Sequence, residues 1–327
     1  MPKIIMILSP MKEKNLKIGI VGLGPIGMIL AVHFREAGCD VAVCDIIKEK
    51  LKLIKTDGIK LDGKIIKTAL FNRIYSSVNE LLQSDVDFVI FSVKANYDAR
   101  IVEKIKLAPP AKKDINIVIA QNGIGGEKIF TEVFDESQII RLVVNFAGNL
   151  KTLNSVNVTF FNPPNYVASV NDTRQESAQW LASALNSVNM ETKCVDSSII
   201  KDKVWDKAIL NCGLSALCAI TKLTMKEAMA LPETLELVRK AVKEGTDVAE
   251  AEGIRLKDNF MDFAMNYFGN AGHHYPSLAV DLMNKSETEI EFINQKIVEY
   301  GQKHHIPTDV NLSLTNIVKS ISYKNSL

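Results

Sequence analysis

Lys17-Ile18-Gly19-Ile20-Val21-Gly22-Leu23-Gly24-Pro25-Ile26-Gly27 is the stretch that decides the fold. Residues 17–21, KIGIV, form a short β-rich apolar run closed at once by glycine, which reads as a buried strand. Gly22, Gly24 and Gly27 follow in the spacing G-x-G-x-x-G and open a helical stretch from Met28 to Ala37. Glycines in that setting permit a tight turn and a close backbone approach to a pyrophosphate, whose charge is favoured at the following helix N-terminus. Gly22, Gly24, Pro25, Ile26 and Gly27 are therefore assigned to cofactor binding. The motif alone is weak; the strand before it and the helix after it separate it from an ordinary glycine turn.

Outward from this loop, DVAVCD (40–45) is the next strand, and Asp45 at its end lies 18 residues after Gly27. A carboxylate there accepts hydrogen bonds from an adenosine ribose and repels the 2′-phosphate of NADP. No arginine stands in Ile46-Ile47, although Lys48 and Lys50 are close by, so NAD(H) is favoured and NADP(H) stays open. The alternative for Asp45 is a simple turn cap. DVDFVIFSV (85–93) and INIVIAQ (115–121) continue a strand–helix alternation that implies a parallel, doubly wound sheet. VNVTFF (156–161), NYVASV (165–170) and METKCVD (190–196) are expected to end that sheet in antiparallel or mixed strands.

From Ile199 onward the period changes to 3.6 residues, in Lys203–Ile220, Glu233–Glu252, Asp258–Phe268, Thr288–His304 and Asp309–Ile321. Pro232 fits the first turn of a helix that Gly253 closes. The expected fold is thus α/β, a Rossmann-type doubly wound sheet domain (17–197) followed by an all-helical substrate-binding and catalytic domain (198–327). Residues 1–16 read as an N-terminal extension, with Met11 as an alternative start. No solenoid repeat or low-complexity linker intervenes, so the boundary near residue 197 reads as a tight hinge.

Composition agrees. A chain of 327 residues exceeds the size at which one core stops growing, which favours two domains of roughly 150 residues. No apolar run approaches the ~20 residues needed to cross a bilayer. Lys+Arg at 39 nearly balance Asp+Glu at 38, without the basic cluster that a phosphate backbone demands, so neither membrane nor nucleic acid is an expected partner. Cys39, Cys44, Cys194, Cys212 and Cys218 are dispersed and read as reduced core residues of a cytoplasmic protein. The short apolar run Ile4 to Leu8 lacks a small-residue cleavage site and is too little for a secretory signal. His273-His274 and His304-His305 are adjacent pairs that cannot aim both rings at one metal, so no metal is expected. No G-x-S-x-G elbow or P-loop lysine is present, which argues against hydrolases and triphosphatases.

Beyond the glycine loop, the chain carries an ordered set of short motifs: Ser92-Val93-Lys94, Gln121-Asn122-Gly123, Lys207-x-x-x-Asn211, Ser277, and Thr288-Glu289-Ile290-Glu291-Phe292-Ile293-Asn294. In this set it resembles the ketopantoate reductases, over a span from Lys17 to about Asn311. Those enzymes reduce 2-dehydropantoate to pantoate in the pathway to pantothenate and coenzyme A. The resemblance implies an NAD(P)H-dependent oxidoreductase that acts on a small 2-oxoacid, and it places Asn122 beside the nicotinamide ribose and the substrate.

Each position also makes physical sense. Lys94 and Asn122 sit just beyond the carboxyl ends of their strands, the edge where doubly wound sheets bind ligands; both are assigned to the cofactor, against the alternatives of a solvated lysine and an Asn-Gly turn. Lys207 and Asn211, four apart, project from one helix face among the apolar Val204, Ala208, Leu210 and Leu214. A lysine held there is desolvated and its ammonium is easier to deprotonate. That suits the proton donor a ketone reduction needs, the alternative being a lysine that snorkels from an amphipathic helix. Asn122, Asn211 and Ser277 are expected to bind substrate, and Glu289 to partner its hydroxyl or Lys207. Ser286-x-x-Glu289 is also a capping-box pattern, and Ser277 after Pro276 could be an N-cap.

Two departures bear on the substrate. Ser215-Ala216 stands where the family commonly shows Asn-Pro, and Gln295 where a glycine usually follows Asn294. With Asp45, they keep open an NAD-dependent D-2-hydroxyacid dehydrogenase acting on a bulkier or unhydroxylated 2-oxoacid. A catalytically inactive nicotinamide-binding sensor is the reading from another class, and the intact Lys207–Asn211–Glu289 set counts against it. A monomer and a homodimer through the helical domain are both compatible with the sequence.

Overall fold

The structure, a computed structural model, describes residues 16–327; the Met11 alternative and all but the last residue of the expected extension lie outside them. Leu16 is already buried, and its carbonyl accepts the Asp40 amide. The strand-containing part runs β1 (Lys17–Val21), α1 (Pro25–Glu36), β2 (Asp40–Cys44), α2 (Lys48–Asp57), β3 (Ile59–Gly63), β4 (Lys67–Ala69), β5 (Arg73–Tyr75), α3 (Val78–Leu82), β6 (Phe88–Phe91), α4 (Asp98–Leu107), β7 (Asn116–Ile119), α5 (Gly126–Phe130), β8 (Ile139–Val143), β9 (Phe146–Thr152), β10 (Ser155–Phe161), β11 (Asn165–Ser169), α6 (Gln175–Asn186) and β12 (Thr192–Cys194). Helices alone follow: α7 (Ser197–Thr221), α8 (Met225–Ala230), α9 (Pro232–Ala251), α10 (Phe260–Gly269), α11 (Ser277–Met283), α12 (Asn294–His304) and α13 (Asp309–Ser326).

The main sheet has the order β12-β11-β8-β7-β6-β1-β2-β5. From β5 to β8 it is parallel, whereas β11 pairs antiparallel with β8 and carries β12 parallel to itself, so the sheet ends mixed. Residues of β6 and β7 are buried on both faces, as parallel strands covered by helices must be. The chain leaves β1 in one direction through β2 and returns to β6 on the other side. That reversal makes a crevice outside the carboxyl ends of β1 and β6, where open α/β sheets bind ligands.

One expected strand belongs elsewhere. VNVTFF forms β10 in a separate four-stranded sheet of order β4-β3-β10-β9. In β10, buried Val156 and Val158 alternate with half-buried neighbours, the signature of a strand covered on one face and not of one inside a doubly covered sheet. The helical part is organised on α7, whose Asp196 cap accepts the Ile199 amide and whose residues 212–219 are buried all round. Its core extends to Ile124, Val143 and Ala168 of the strand-containing part. Pro232 stands in the first turn of α9, and Gly253 follows its end with φ +75°. No described helix is long and apolar enough to cross a membrane.

The expected helix Thr288–His304 is interrupted. Residues 290–292 make a single 3₁₀ turn, Ile293 departs from helical geometry at φ −113° and ψ −93°, and α12 starts only at Asn294. The break has a long-range cause: the Phe292 carbonyl accepts the Ile124 amide at 2.9 Å, from the turn after β7.

Candidate active site

The glycine loop is built by contact. A Cβ on Gly22, which has φ +92°, would lie 2.5 Å from a Val93 methyl carbon, and one on Gly27 would lie 2.0 Å from the Gly22 carbonyl oxygen. Gly24 differs, because a Cβ there would meet nothing within 4 Å. It faces open space at the start of α1, a helix with no side-chain cap and no acidic residue in its first turn. Free amides, a favourable dipole and a cleared approach fit a pyrophosphate.

Asp45 turns its carboxylate inward. Oδ2 accepts the Leu23 amide at 2.9 Å and the Lys50 ammonium at 2.8 Å, while Oδ1 accepts the Ile47 amide at 2.9 Å. Lys50 also donates to the Leu23 carbonyl at 2.9 Å, so the pair satisfies both backbone groups of a residue inside the glycine loop. Asp45 and Lys50 are 9% and 4% exposed, so this is a buried ion pair bracing the loop. Lys50 had been legible only as a nearby charge.

At the end of β6, the Ser92 hydroxyl donates to the Gly22 carbonyl at 2.8 Å. Lys94 reaches across to the helical part, pairing with Asp281 of α11 at 2.7 Å and donating to the Glu287 carbonyl at 3.0 Å. Asn96 donates to the Thr288 carbonyl at 2.8 Å. Glu289, 8% exposed, accepts the Ala95 amide at 3.2 Å on one oxygen and the Asn122 side-chain amide at 3.3 Å on the other. Its side chain therefore makes no helix cap, although Glu289 stands in the N-cap position of the 3₁₀ turn that follows. Burial raises its pKa first of all, with the Asp281 charge adding to the effect, and the bonds from Ala95 and Asn122 oppose it. Gly123, at φ +95°, lets the turn come against Phe292, where a Cβ would be 2.6 Å from the Phe292 Cβ.

On α7, Lys207 is half-buried and its ammonium donates to the Val144 carbonyl at 2.6 Å. Burial chiefly, and then the charge of Arg141, pull its pKa down to about 8 against the opposing Glu289. Asn211, one turn further, is half-buried, and its side chain has no hydrogen-bond partner among the described residues. Val204, Ala208 and Leu214 are buried and Leu210 packs at their edge, as the helix pattern required. Ser277 is exposed and opens α11, with Pro276 in the N-cap position. Asn122, Glu289, Lys94 and Ala95 thus form one connected cluster, tied to Lys207 by charge.

Three buried residues in the same region escaped the motif reading: Asp98, Gln121 as a side chain, and Arg141. An arginine inside the apolar run Ile139–Val144 was the signal that could have exposed them.

The family model described as ketopantoate reductase PanE/ApbA matches residues 18–171, and that described as its C terminal part matches residues 199–322. The chain is 26% identical over 301 residues to 2-dehydropantoate 2-reductase of Streptococcus pyogenes serotype M1, covering 91% of this chain and 95% of that one. To the enzyme of the same name from Archaeoglobus fulgidus it is 27% identical over 306 residues, covering 93% and 97%. Among solved structures, a PanE/ApbA family ketopantoate reductase from Ralstonia eutropha JMP134 superposes with a TM-score of 0.85 at 22% identity, covering 95% of this chain and all of that one. D-mandelate dehydrogenase with NADH and anilino(oxo)acetate superposes at 0.84 and 24%, with the same coverage. These two likenesses speak for the fold.

Proposed function

Because the chain belongs to the ketopantoate reductase family, and is accordingly an oxidoreductase that uses a nicotinamide cofactor, we propose that it reduces 2-dehydropantoate to pantoate with NAD(H), Lys207 acting as the general acid. The observation that carries this reading is the Lys207 ammonium on α7, held by the Val144 carbonyl at 2.6 Å and lowered to about 8 by burial and then by the Arg141 charge, against the opposing Glu289. A group of that pKa is mostly protonated at pH 7 yet gives up its proton readily, which suits transfer to a forming alkoxide.

The bound cofactor would supply the hydride to the keto carbon. Lys207 has three donors and uses one on Val144, which leaves two for the keto oxygen. Asn211, with its amide unengaged, Ser277 and Asn122 would hold the carboxylate and carbonyl, and such positioning can supply several kcal/mol of the barrier reduction. Each Glu289 oxygen keeps a lone pair beyond the bond it accepts, so it can also read a distal hydroxyl. Lys94 would release Asp281 or act beside it at the nicotinamide ribose. Residues 17–197 would then hold the cofactor and 198–327 the substrate, with the hinge near 197.

The test is a set of initial rates with ketopantoate and unhydroxylated 2-oxoacids, each with NADH and NADPH. Ketopantoate should be reduced fastest. Faster turnover of unhydroxylated acids would favour the D-2-hydroxyacid dehydrogenase reading, which Ser215, small and buried one turn beyond Asn211, also supports; NADH binding without any reduction would favour the sensor. Glu289→Ala should raise KM most for ketopantoate, by about 10–100-fold for a lost partner to a hydroxyl, and less for an acid lacking it.

Cofactor preference rests on Asp45. Asp45→Ala should narrow the NADH to NADPH ratio, because it removes the repelling charge and frees the Lys50 ammonium for a 2′-phosphate. Leaving Lys50 buried and unpaired should also cost about 3–5 kcal/mol of stability, read by denaturant melts. An unchanged ratio in folded protein would reduce Asp45 to a brace. Five free cysteines, four of them buried, support a cytoplasmic setting. A homodimer is the assembly to test by sedimentation, the ketopantoate reductase of Staphylococcus aureus being named as dimeric.

A further inference from the structure

Arg141 occupies the middle of β8 and is 4% exposed. Its Nη2 donates to two carbonyls, of Gln121 at 2.8 Å and of Gly123 at 3.0 Å, which flank Asn122 in the chain. Its Nε and Nη1 have no hydrogen-bond partner, and Glu127, its ion-pair partner, stands 3.9 Å away. Loose pairing of this kind does not offset the desolvation of a guanidinium, so stability alone does not account for the residue. The Gln121 side chain donates to buried Asp98, whose second oxygen has no partner. Burial pushes Asp98 up to about 8, so at neutral pH it is mostly the uncharged acid and does little to offset the Arg141 charge.

From this geometry we propose that Arg141 is a positioning residue acting through two neighbours: it clamps the turn that presents Asn122, and it supplies the positive charge that Lys207 faces. The charged groups bearing on Lys207 are Arg141 from β8 and Glu289 from the segment before α12. Those bearing on Arg141 are Glu127 from α5 and Glu289, with Asp98 from α4 acting only through its ionised fraction. Two effects follow. The clamp holds Asn122 in reach of both Glu289 and the ligand crevice, and like-charge repulsion favours the deprotonated lysine.

The inference rests on Lys207 as the general acid. In that role it must be protonated, so kcat/KM falls as pH rises through its pKa, near 8 in the native chain. Arg141→Gln keeps an amide donor for one carbonyl and removes the charge. Its alkaline limb should move up by on the order of one pH unit, and kcat/KM at pH 7 should fall about tenfold as Asn122 loosens. Arg141→Lys, which restores the charge, should return the limb to its native position. An independent readout is the ¹³Cε titration of Lys207 in the full chain without ligand, which should move with the limb. A folded Arg141→Gln protein with the native limb and native Lys207 titration overturns the proposal; if that variant does not fold, the same two readings on Arg141→Met, which removes the charge without leaving a polar head in the core, decide it in the same way. Failure of the underlying reading looks different: Lys207→Ala would then retain turnover, whatever Arg141 does.

Discussion

Lys207→Ala is expected to lower kcat on the order of 10²–10⁴-fold, the range for loss of a general acid, while NADH affinity barely moves. The ammonium acts where negative charge grows on the keto oxygen, so its contribution strengthens in the transition state and is lost from kcat. The substitution also strips the buried Val144 carbonyl of its donor at 2.6 Å, which should cost about 1–3 kcal/mol of stability. Turnover must therefore be compared at a temperature where both proteins are folded, with NADH fluorescence confirming the cofactor site. The alkaline fall of kcat/KM near pH 8 should vanish along with the group that causes it. Near-normal turnover in folded Lys207→Ala protein would return α7 to a purely structural role.

Gly27→Ala should abolish useful cofactor binding, with NADH affinity down by about 10²-fold or more and stability down by about 1–3 kcal/mol, the usual cost of overpacking. The added Cβ would sit 2.0 Å from the Gly22 carbonyl, a backbone atom, so the loop and α1 must separate. Gly24→Ala is the control that divides folding from binding. At φ −75° and ψ −174° Gly24 has a backbone that any residue adopts, and its Cβ would enter open space. That variant should melt within about 0.5 kcal/mol of the native chain, as harmless surface changes do. It should still weaken NADH binding, because the methyl group occupies the approach of the pyrophosphate. Native affinity in Gly24→Ala would move the phosphate site away from this loop.

How legible all this was depended on the distance over which each feature is determined. Gly22, Gly24 and Gly27 between a buried strand and a helix, the change of period after Ile199, and Lys207 with Asn211 on one face of α7 are local patterns. Each is set by dihedral preference or apolar spacing within a few residues, and each could be read directly. Partner choice was not local. Asp45 was readable as a carboxylate at a strand end, but its commitment to Leu23 and Lys50 depends on how α2 packs back on the loop. VNVTFF was readable as a strand, while its membership in the second sheet depends on pairing with residues near 60 and 150. Helical spacing runs unbroken through Thr288–His304, yet Glu289 leaves the helix because Ala95 and Asn122, 194 and 167 residues away, supply its hydrogen bonds. The cost of leaving those buried polar groups unpaired outweighs one turn of helix, and such a balance can be struck only after the chain has brought the two halves together. The sequence alone therefore determined the layers, the glycine loop between β1 and α1 and the residue types of the candidate site. Tertiary structure decided which of them touch, because hydrogen bonds and charges between distant segments leave no periodic trace in the chain.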